Sequence, residues 1–422
     1  MTVAERLVDH LHPELAALRD DPSGAAEFWS RLARDGAPLV EPDPRTPGHS
    51  IVTFVFPLPP QAKHVAVNAG YGNASDHVLD RIPGTDVGHA AYRYRDDVRL
   101  SYAFAVNVPL VPYEEATATE IVEMLAYGRE HPPLMDPHHR QHFPIRVEGQ
   151  PDRNLSFVSL PDAPDQSVLD RREGAPHGQV HRHRFTSEIL GNERRIWVYT
   201  PPGYDASGGQ TYPVMAAFDG GGALTLTPLH RMLDNLIADG RVRPMVALFI
   251  DNATETSRQD DLPCSEPFAQ FVETELLPWL RANYRVSHEA KDHAVTGVSY
   301  GGLAAMWFGY RLPHVFGTVI SQAASLWWGP GWDMSVRFND QKYATEWLIE
   351  QYAASPRLPV RFWMEIGLME HPSRMLPPNR RMKSVLEGKG YDLTYSEPAG
   401  GHDYALWRGT LADALTKMLP AV

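Results

Sequence analysis

The chain has 422 residues, of which 43% are hydrophobic and 22% are charged, so it is expected to fold into ordinary globular domains with little large-scale disorder. Its formal net charge of −13 disfavours a nucleic-acid-binding role, because neutralising phosphates requires clustered Lys and Arg. Since single hydrophobic cores stop growing at about 250–300 residues, this length predicts two domains.

The termini and the cysteine content indicate a cytoplasmic protein. The first residues, MTVAERLVDHLHPELAALRDD, carry charges every few positions and so lack the apolar core of a secretory signal. No run of about 18 apolar residues predicts a membrane span. Cys264, as the single cysteine, cannot form an internal disulfide and is interpreted as a small buried hydrophobe.

Residues 1–150 predict a helical N-terminus followed by an all-β accessory domain. Apolar residues at helical spacing indicate two short helices before Pro38, broken near Pro22 and Gly24. Four apolar or alternating segments then predict an immunoglobulin-like sandwich of short antiparallel strands, namely SIVTFVFPL, HVAVNAG, HAAYRYRDD and LSYAFAVNV. A carbohydrate-binding module would show the same pattern, so this domain predicts an architecture and no ligand.

Residues 151–184 are rich in Pro, His, Arg and Asp and predict a linker. From residue 185 to 422 the chain alternates short apolar strands with longer amphipathic helices. This order predicts a mostly parallel sheet with helices on both faces, that is, an α/β-hydrolase domain.

The motif Gly297-Val298-Ser299-Tyr300-Gly301 matches G-x-S-x-G and lies between an apolar strand, HAVTGV, and a helix. A nucleophilic serine needs this strained strand-to-helix turn to expose its hydroxyl, and glycines allow the close approach of its neighbours. The sequence therefore predicts a serine hydrolase with Ser299 as nucleophile.

A serine hydroxyl needs a base to remove its proton, and His402 is the candidate, since it follows the last strand and the flexible pair Gly400-Gly401. The third member should follow an earlier strand and orient the imidazole. Glu370, after PVRFWMEIG, is predicted for this role, with Asp333 as the alternative. Glu365 lies within the strand, and Asp403 is too close to His402 in sequence to orient it easily.

Stabilising the oxyanion of the tetrahedral intermediate requires backbone N–H donors. The amide of Tyr300, the residue after the nucleophile, is predicted to be one. The glycine run after PVMAAF supplies the second, and Gly221 is the favoured residue.

With these residues identified, the chain resembles the ferric enterobactin (enterochelin) esterase family along nearly its full length. The N-terminal half is similar in FWSRLARDGAPLVEPD, VTFVF and YRYRDDVRLSYAF. The C-terminal half is similar to esterases related to esterase D in segments that include LGNERRIWVYTPPGY, FDGGGAL, ELLPWLRANYRV, GVSYGGLAA and GGHDYALWRGTL.

The resemblance implies hydrolysis of the serine ester bonds of a tri-catecholate trilactone siderophore after its import, which frees the iron. It maps the family's nucleophile and base onto Ser299 and His402. Related siderophore esterases can work with a Ser-His dyad, so the role of Glu370 remains open at this point. The chain also departs from the family at Gly221, where the family commonly has Gln.

A ferric tri-catecholate is anionic and aromatic, so its pocket should combine cations with aromatic rings. The candidate substrate-binding residues are Arg258, Trp327, Trp328, Arg374, Arg380 and Arg381. For each of them a structural role is the alternative, because Trp pairs are usually core and helix arginines are usually solvated.

The histidines at positions 138, 139, 142, 181 and 183 lack further ligands at metal-binding spacing. We therefore predict no protein-bound metal and no cofactor; the iron belongs to the substrate. The expected partner is a small-molecule ferric catecholate siderophore, with no nucleic acid and no membrane, and the sequence does not predict an oligomeric state.

Two other functions fit the same residues. One is a hydrolase or acyltransferase acting on a different ester or lactone in natural-product metabolism. The other, disfavoured by the intact Ser299 and His402 motifs, is a non-catalytic siderophore-binding protein.

Overall fold

The computed structural model describes residues 3–69, 77–111, 116–139, 142–145, 153–254, 256–332 and 345–421. In the described part of the N-terminal half, nine antiparallel strands form two sheets. They are β1 (Ala4–Arg6), β2 (Leu39–Pro42), β3 (His49–Pro57), β4 (Val65–Asn68), β5 (Asp80–Arg81), β6 (Val87–Arg95), β7 (Arg99–Val106), β8 (His142–Ile145) and β9 (Arg153–Ser159).

One sheet has the order β1-β6-β3-β2, with β5 beside β6, and the other has the order β4-β7-β9-β8. Alternate apolar residues of β3 pack against β7, with ring centroids 4.8 Å apart for Phe54 and Tyr102 and 4.3 Å apart for Phe56 and Phe104. Because side chains alternate across a strand, Val55 lies in a separate apolar cluster on the other face of β3.

Among the residues described there, three α-helices accompany these strands. Helices α1 (Pro13–Asp20) and α2 (Ala25–Asp35) occur where two short helices are predicted, and they cover the outer face of β3. Helix α3 (Ala118–Glu130) is absent from the sequence prediction. Thr117 begins it with a capping box, since its hydroxyl accepts from the Glu120 amide.

The predicted linker, residues 151–184, contains regular structure at both ends. Strand β9 pairs with β7 and β8, so the N-terminal sheets extend to Ser159. Strand β10 (Gln179–Ser187) begins the C-terminal sheet before residue 185. The difference arises because the short apolar segment LSFVSL pairs both with the nearby β8 and with β7, which lies about 50 residues earlier in the chain.

The C-terminal half contains an eight-stranded sheet of order β10-β11-β13-β12-β14-β15-β16-β17. The pairs β10-β11 and β11-β13 are antiparallel, and the six strands from β12 to β17 are parallel to one another. The further strands are β11 (Asn192–Thr200), β12 (Val214–Phe218), β13 (Val246–Ile250), β14 (His293–Val298), β15 (Thr318–Gln322), β16 (Arg361–Glu365) and β17 (Leu393–Ser396).

Nine helices accompany this sheet in the described chain. They are α4 (Gly220–Thr225), α5 (Leu229–Ala238), α6 (Ser257–Asp261), α7 (Glu266–Phe271), α8 (Leu277–Asn283), α9 (Tyr300–Arg311), α10 (Trp347–Ala354), α11 (Leu376–Gly388) and α12 (Tyr404–Met418). Helices α7 and α8 are joined by a π-helical turn, Val272–Leu276.

Both faces of this sheet are buried, as expected for central parallel strands. Along β12, Val214, Ala216 and Phe218 belong to one apolar core, while Met215 and Ala217 belong to the other. Helices α7 to α11 contribute to the first core, and α5 with most of α12 contributes to the second. Among the described helices, none has the length and apolar character needed to cross a bilayer.

Candidate active site

Ser299 lies in a sharp turn between β14 and α9, at the carboxyl edge of the parallel sheet. Its backbone angles are φ 57° and ψ −117°, a region that non-glycine residues rarely adopt and that costs about 1–3 kcal/mol. The Ser299 amide donates to the carbonyl of Gln322 at 3.0 Å, and its carbonyl accepts from the Ser325 amide at 3.2 Å. These bonds to the chain after β15 hold the serine in the strained turn.

Gly297 makes this turn possible. A Cβ atom there would overlap the backbone of Gly301, so the strand and the helix can approach each other only without a side chain. The geometry is that of a nucleophile elbow, in which the hydroxyl stands above the sheet edge.

His402 and Glu370 come together at the same edge. The Nδ1 atom of His402 lies 2.9 Å from Oε1 and 3.1 Å from Oε2 of Glu370, whose residue surface is only 2% exposed. The edge of Trp407 packs against the imidazole, with the ring centroids 4.7 Å apart. A carboxylate in this position orients the ring and stabilises its protonated form.

The two loops that carry these side chains are joined by backbone hydrogen bonds. The Leu368 amide donates to the carbonyl of Pro398 at 2.9 Å, and the Met369 amide donates to Gly400 at 2.8 Å. Gly367 approaches Gly400 so closely that a Cβ atom would overlap its carbonyl oxygen. The separation of Glu370 and His402 is therefore set by the backbone as well as by their own contact.

Both loops also pack against the N-terminal half. Ala399 is buried in the apolar core between the two N-terminal sheets, and Leu368 and Met369 pack against that core. The N-terminal half thus supports the loops that present the histidine and the glutamate.

The other three carboxylates considered from the sequence occupy different positions. Asp333 lies outside the described residues. Asp403 is the N-cap residue of α12, and its carboxylate accepts hydrogen bonds from the amides of Ser101 and Ala405. Glu365 is buried in β16, and burial raises its pKa to about 7 although three neighbouring donors favour its charged form.

The glycine loop after β12 contains the predicted oxyanion donor. Asp219 has left-handed backbone angles, φ 51° and ψ 52°, and Gly220 begins α4. The Gly221 amide donates to Oδ1 of Asp251 at 3.2 Å, so this donor has a carboxylate partner in the structure. Tyr300 is the first residue of α9, where an amide has no acceptor within its own helix.

Arg258 is paired within the protein. Its Nε and Nη2 atoms each lie 2.8 Å from a different oxygen of Asp219, and its guanidinium group lies 5.5 Å from the ring of Tyr300. Burial disfavours the charge, but Asp219 more than compensates and raises the pKa of Arg258. This ion pair fixes the start of the glycine loop.

The predicted aromatic contacts differ in burial. Trp327 is buried in the core between Tyr300 and Trp332, with the guanidinium group of Arg374 at 5.3 Å from its ring. Trp328 is half-buried and packs near Trp347. Trp327 therefore has the packing expected of a structural residue.

The two arginines predicted on α11 also have partners. Arg380 makes a bidentate pair with Glu397, at 2.8 and 2.7 Å, and Arg381 pairs with Glu346. Both arginines are exposed, so an anionic ligand would compete with these carboxylates.

Ser325 is a neighbour of Ser299 that the sequence did not predict. Its Oγ atom lies 3.5 Å from the Oγ of Ser299, and the residue is buried. It follows β15, and the carboxyl ends of adjacent parallel strands meet at one edge. That rule, applied to SQAAS, was the signal available in the sequence.

The other titratable groups noted in the sequence show no catalytic arrangement. In the described chain, no group of three His, Cys, Asp or Glu side chains could hold a metal ion. His183 hydrogen-bonds to the Tyr284 hydroxyl at 2.8 Å, and the side chain of His142 lies outside the described residues. Cys264 packs against the core, and burial raises the pKa of its thiol.

A cavity of about 1190 Å³ lies at the opposite edge of the sheet, beside Ala290, Gly317 and Val360. These residues come before β14, β15 and β16, at the amino ends of the strands. Because ligands of open parallel sheets bind at the carboxyl ends, this cavity is not the candidate active site.

Comparisons with known proteins identify both halves. A family model described as "Putative esterase" matches residues 187–418, and one described as "Enterochelin esterase, N-terminal" matches residues 52–169. An iron(III) enterobactin esterase of Dickeya dadantii (strain 3937) is 29% identical over 96% of this chain and 95% of its own length.

Solved structures agree with this match. The ferric enterobactin esterase of Salmonella typhimurium has a TM-score of 0.75 and 26% identity, and covers 93% of this chain and 98% of its own. The enterobactin esterase of Shigella flexneri, crystallised in the presence of 2,3-dihydroxy-N-benzoylserine, has a TM-score of 0.71 and 26% identity, with 94% and 98% covered. The two halves of the chain together match those of the ferric enterobactin (enterochelin) esterases that its sequence resembles. The chain therefore belongs to the esterase family of carboxylic ester hydrolases whose model matches residues 187–418.

Proposed function

We propose that this protein is a serine esterase that hydrolyses the trilactone ester bonds of a ferric catecholate siderophore such as enterobactin, and so releases its iron in the cytoplasm. The hydrogen bonds between His402 and Glu370, at the sheet edge that carries the strained Ser299, are the observation that carries the chemistry. The siderophore is inferred from relatives that match both halves and are named enterobactin esterases.

We assign the C-terminal half to the α/β-hydrolase fold and the N-terminal half to an immunoglobulin-like sandwich. The mostly parallel sheet with a serine elbow after β14 supports the first assignment. Two facing antiparallel sheets with a shared aromatic core support the second.

In the proposed mechanism, His402 removes the proton of the Ser299 hydroxyl as Oγ attacks the ester carbonyl. Glu370 holds the Nδ1–H of the imidazole, so that Nε2 accepts the proton, and stabilises the resulting imidazolium. The proton then passes to the departing alkoxide oxygen as the ester C–O bond breaks. A water molecule, deprotonated by the same histidine, hydrolyses the acyl-enzyme and regenerates the serine.

We propose that the tetrahedral oxyanion is stabilised by the amide of Tyr300 and by that of Gly221. Gly221 would have to share its amide hydrogen with Asp251 or turn it toward the substrate.

The proposed substrate contacts are the cations and rings around this edge. Trp328 is the more accessible ring of the Trp pair, and Trp327 would act through its packing on Tyr300. Arg258 would act through Asp219, and the exposed Arg380 and Arg381 would exchange their glutamate partners for catecholate oxygens.

The proposal is tested by incubating the purified protein with ferric and iron-free enterobactin and identifying the products by mass spectrometry. We expect linear catechoyl-serine products that gain one water for each ester cleaved. Ser299→Ala should lower turnover on the order of 10³-fold or more while substrate binding persists, and His402→Ala should act similarly because the pair works as one unit.

Two controls separate the alternatives. An added alcohol tests acyl transfer, since capture of most of the acyl group by the alcohol would identify a transferase. Labelling of Ser299 with a fluorophosphonate tests nucleophilicity. An unlabelled protein with unchanged siderophore after prolonged incubation would contradict the esterase and indicate a binding protein.

A further inference from the structure

A second cavity, of about 810 Å³, lies between the N-terminal sheets and the helices of the C-terminal half. Strands β7, β8 and β9 form one wall, through residues that include Arg99 and Phe143. The ends of α4 and α5 and the first turns of α12 form the other, through Leu226, Arg231 and Arg408. Its size and its place between two domains are typical of small-molecule sites.

Three arginines line this cavity without a carboxylate partner in the described chain. Arg408 donates from Nε to the Gln166 side chain at 2.8 Å, and Arg99 donates to the Ser159 hydroxyl at 2.6 Å. Arg231 donates to the carbonyl of Leu169 at 3.2 Å. These hydrogen-bond partners are neutral, and so is Pro164, whose carbonyl also accepts from Arg99. The carboxylates of Asp165, near Arg99, and of Asp403 and Asp170, near Arg408, act on these cations only through space.

The charges also affect one another. Burial, followed by the nearby charge of Arg99, lowers the pKa of Arg408 to about 10. Two carboxylates, Asp165 and Asp170, line the same cavity but are exposed, and Asp165 accepts hydrogen bonds from Ser167. The cavity is partly shielded from water, so an anion bound between these arginines would offset the repulsion between their positive charges.

Two aromatic rings lie beside the guanidinium group of Arg408. The guanidinium carbon of Arg408 lies 4.6 Å from the ring centroid of Phe143 and 5.6 Å from that of Phe157. Phe143 is buried and Phe157 half-buried, so the rings form a fixed wall. A flat ligand can stack on such a wall while its charged group meets the guanidinium nitrogens.

The cavity is adjacent to the candidate active site but separate from its reacting groups. Helix α12 begins two residues after His402, and Arg408 lies one turn into it. Helix α4 begins with the glycine loop. Neither Ser299 nor His402 lines the cavity.

We propose that this interdomain cavity binds an aromatic acid, in which a flat ring is linked to a carboxylate, with the acid on Arg408 and Arg231 and the ring beside Phe143 and Phe157. The identity of the natural ligand rests on the proposed function. Each hydrolysed ester leaves an aromatic acyl-serine with a new carboxylate, which is the chemistry that this cavity matches.

The test uses the full chain and 2,3-dihydroxy-N-benzoylserine, titrated by calorimetry without iron. Arg408→Gln and Arg231→Gln should each weaken binding by about tenfold, because each removes a charged hydrogen-bond donor. Arg311→Gln is the matched control, since Arg311 makes an exposed pair with Glu266, and binding should not change.

A second ligand isolates the carboxylate. The serinamide analogue, which lacks the acid, should bind the unsubstituted protein about tenfold more weakly, and Arg408→Gln should then add little further loss. Additive losses would contradict a contact between that arginine and the acid. If Arg408→Gln fails to fold in a thermal melt, Arg231→Gln gives the same comparison.

The location is tested by blocking Ser299 with a fluorophosphonate and by soaking crystals with the acid. Binding that survives the block, with ligand density beside Arg408, supports the proposal. Density only at Ser299, or equal affinity in the Arg408, Arg231 and Arg311 variants, would overturn it. Failure of the esterase proposal would appear separately, as absent ester hydrolysis, because the calorimetry requires no turnover.

Discussion

The side-chain carboxylate of Asp403 accepts a hydrogen bond from the backbone amide of Ser101 at 2.5 Å. Its other oxygen accepts the Ala405 amide at 2.8 Å and so caps α12. Ser101 belongs to β7 of the N-terminal half, and Asp403 follows His402 directly. One half-buried carboxylate thus connects the accessory sheet to the loop that holds the proposed base.

This connection predicts that Asp403 positions His402. Asp403→Ala removes both acceptors and should lower kcat about tenfold with little change in KM, together with about 1 kcal/mol of stability from the lost cap. Asp403→Asn keeps one acceptor oxygen and should recover most of both. Steady-state kinetics well below the melting temperature measure the effect. A lower melting temperature with unchanged kcat would leave Asp403 with a structural role alone.

Glu370 decides between a triad and a dyad. Glu370→Gln keeps the size of the side chain but offers an amide donor to Nδ1, which favours the wrong imidazole tautomer. We expect kcat for a p-nitrophenyl ester to fall about 10²- to 10⁴-fold, with KM nearly unchanged. Glu387→Gln, an exposed carboxylate on α11, is the control. A loss of only a few-fold would show that Ser299 and His402 suffice as a dyad.

The elements at the sheet edge could be predicted because each has a local signal. Ser299 stands in a five-residue motif between a strand and a helix, and His402 follows the last strand. Glu370 was named by position alone, and the structure places it beside His402. These three residues were inferred from the order of strands and turns along the chain, and hydrophobic periodicity is a good indicator of that order.

The partners of the charged side chains could not be predicted in the same way. Arg258 and Asp219 are 39 positions apart and meet only after the sheet forms. The contact of Ser101 with Asp403 spans 302 positions and depends on how the halves pack. The carboxylate partners of these arginines could not be identified from the sequence, because an ion pair between distant segments leaves no local pattern.

A substitution of Arg258 can distinguish a structural ion pair with Asp219 from a direct contact with the substrate. If it mainly fixes Asp219, Arg258→Gln should cost roughly 1–3 kcal/mol of stability, because a mostly buried carboxylate loses its charged partner. The control Arg311→Gln breaks an exposed pair and should cost at most about 1 kcal/mol. Chemical denaturation measures both. A raised KM for the siderophore without loss of stability would instead support a direct substrate contact.

Glu365 predicts how stability depends on pH. Its carboxyl is buried at the end of β16, where it accepts from Gln322 at 3.0 Å and from Thr410 at 2.5 Å. Burial raises its pKa from 4.5 to about 7 in the folded protein. Because the folded state holds the proton more tightly than the unfolded chain, this group stabilises the fold below pH 4.5, and the contribution is lost as pH rises through about 7.

The shift corresponds to a loss on the order of 3 kcal/mol across that window. Glu365→Gln cannot ionise, so its unfolding free energy should fall less than that of the unsubstituted protein between pH 5 and pH 8. Urea denaturation at several pH values gives both slopes, and their difference removes the contribution of every other titrating group. Parallel slopes would mean that Glu365 remains charged when folded, held by its Gln322, Thr410 and Trp363 donors. A smaller slope for the variant would show that β16 carries a neutral acid at low pH and must accommodate a buried charge at high pH.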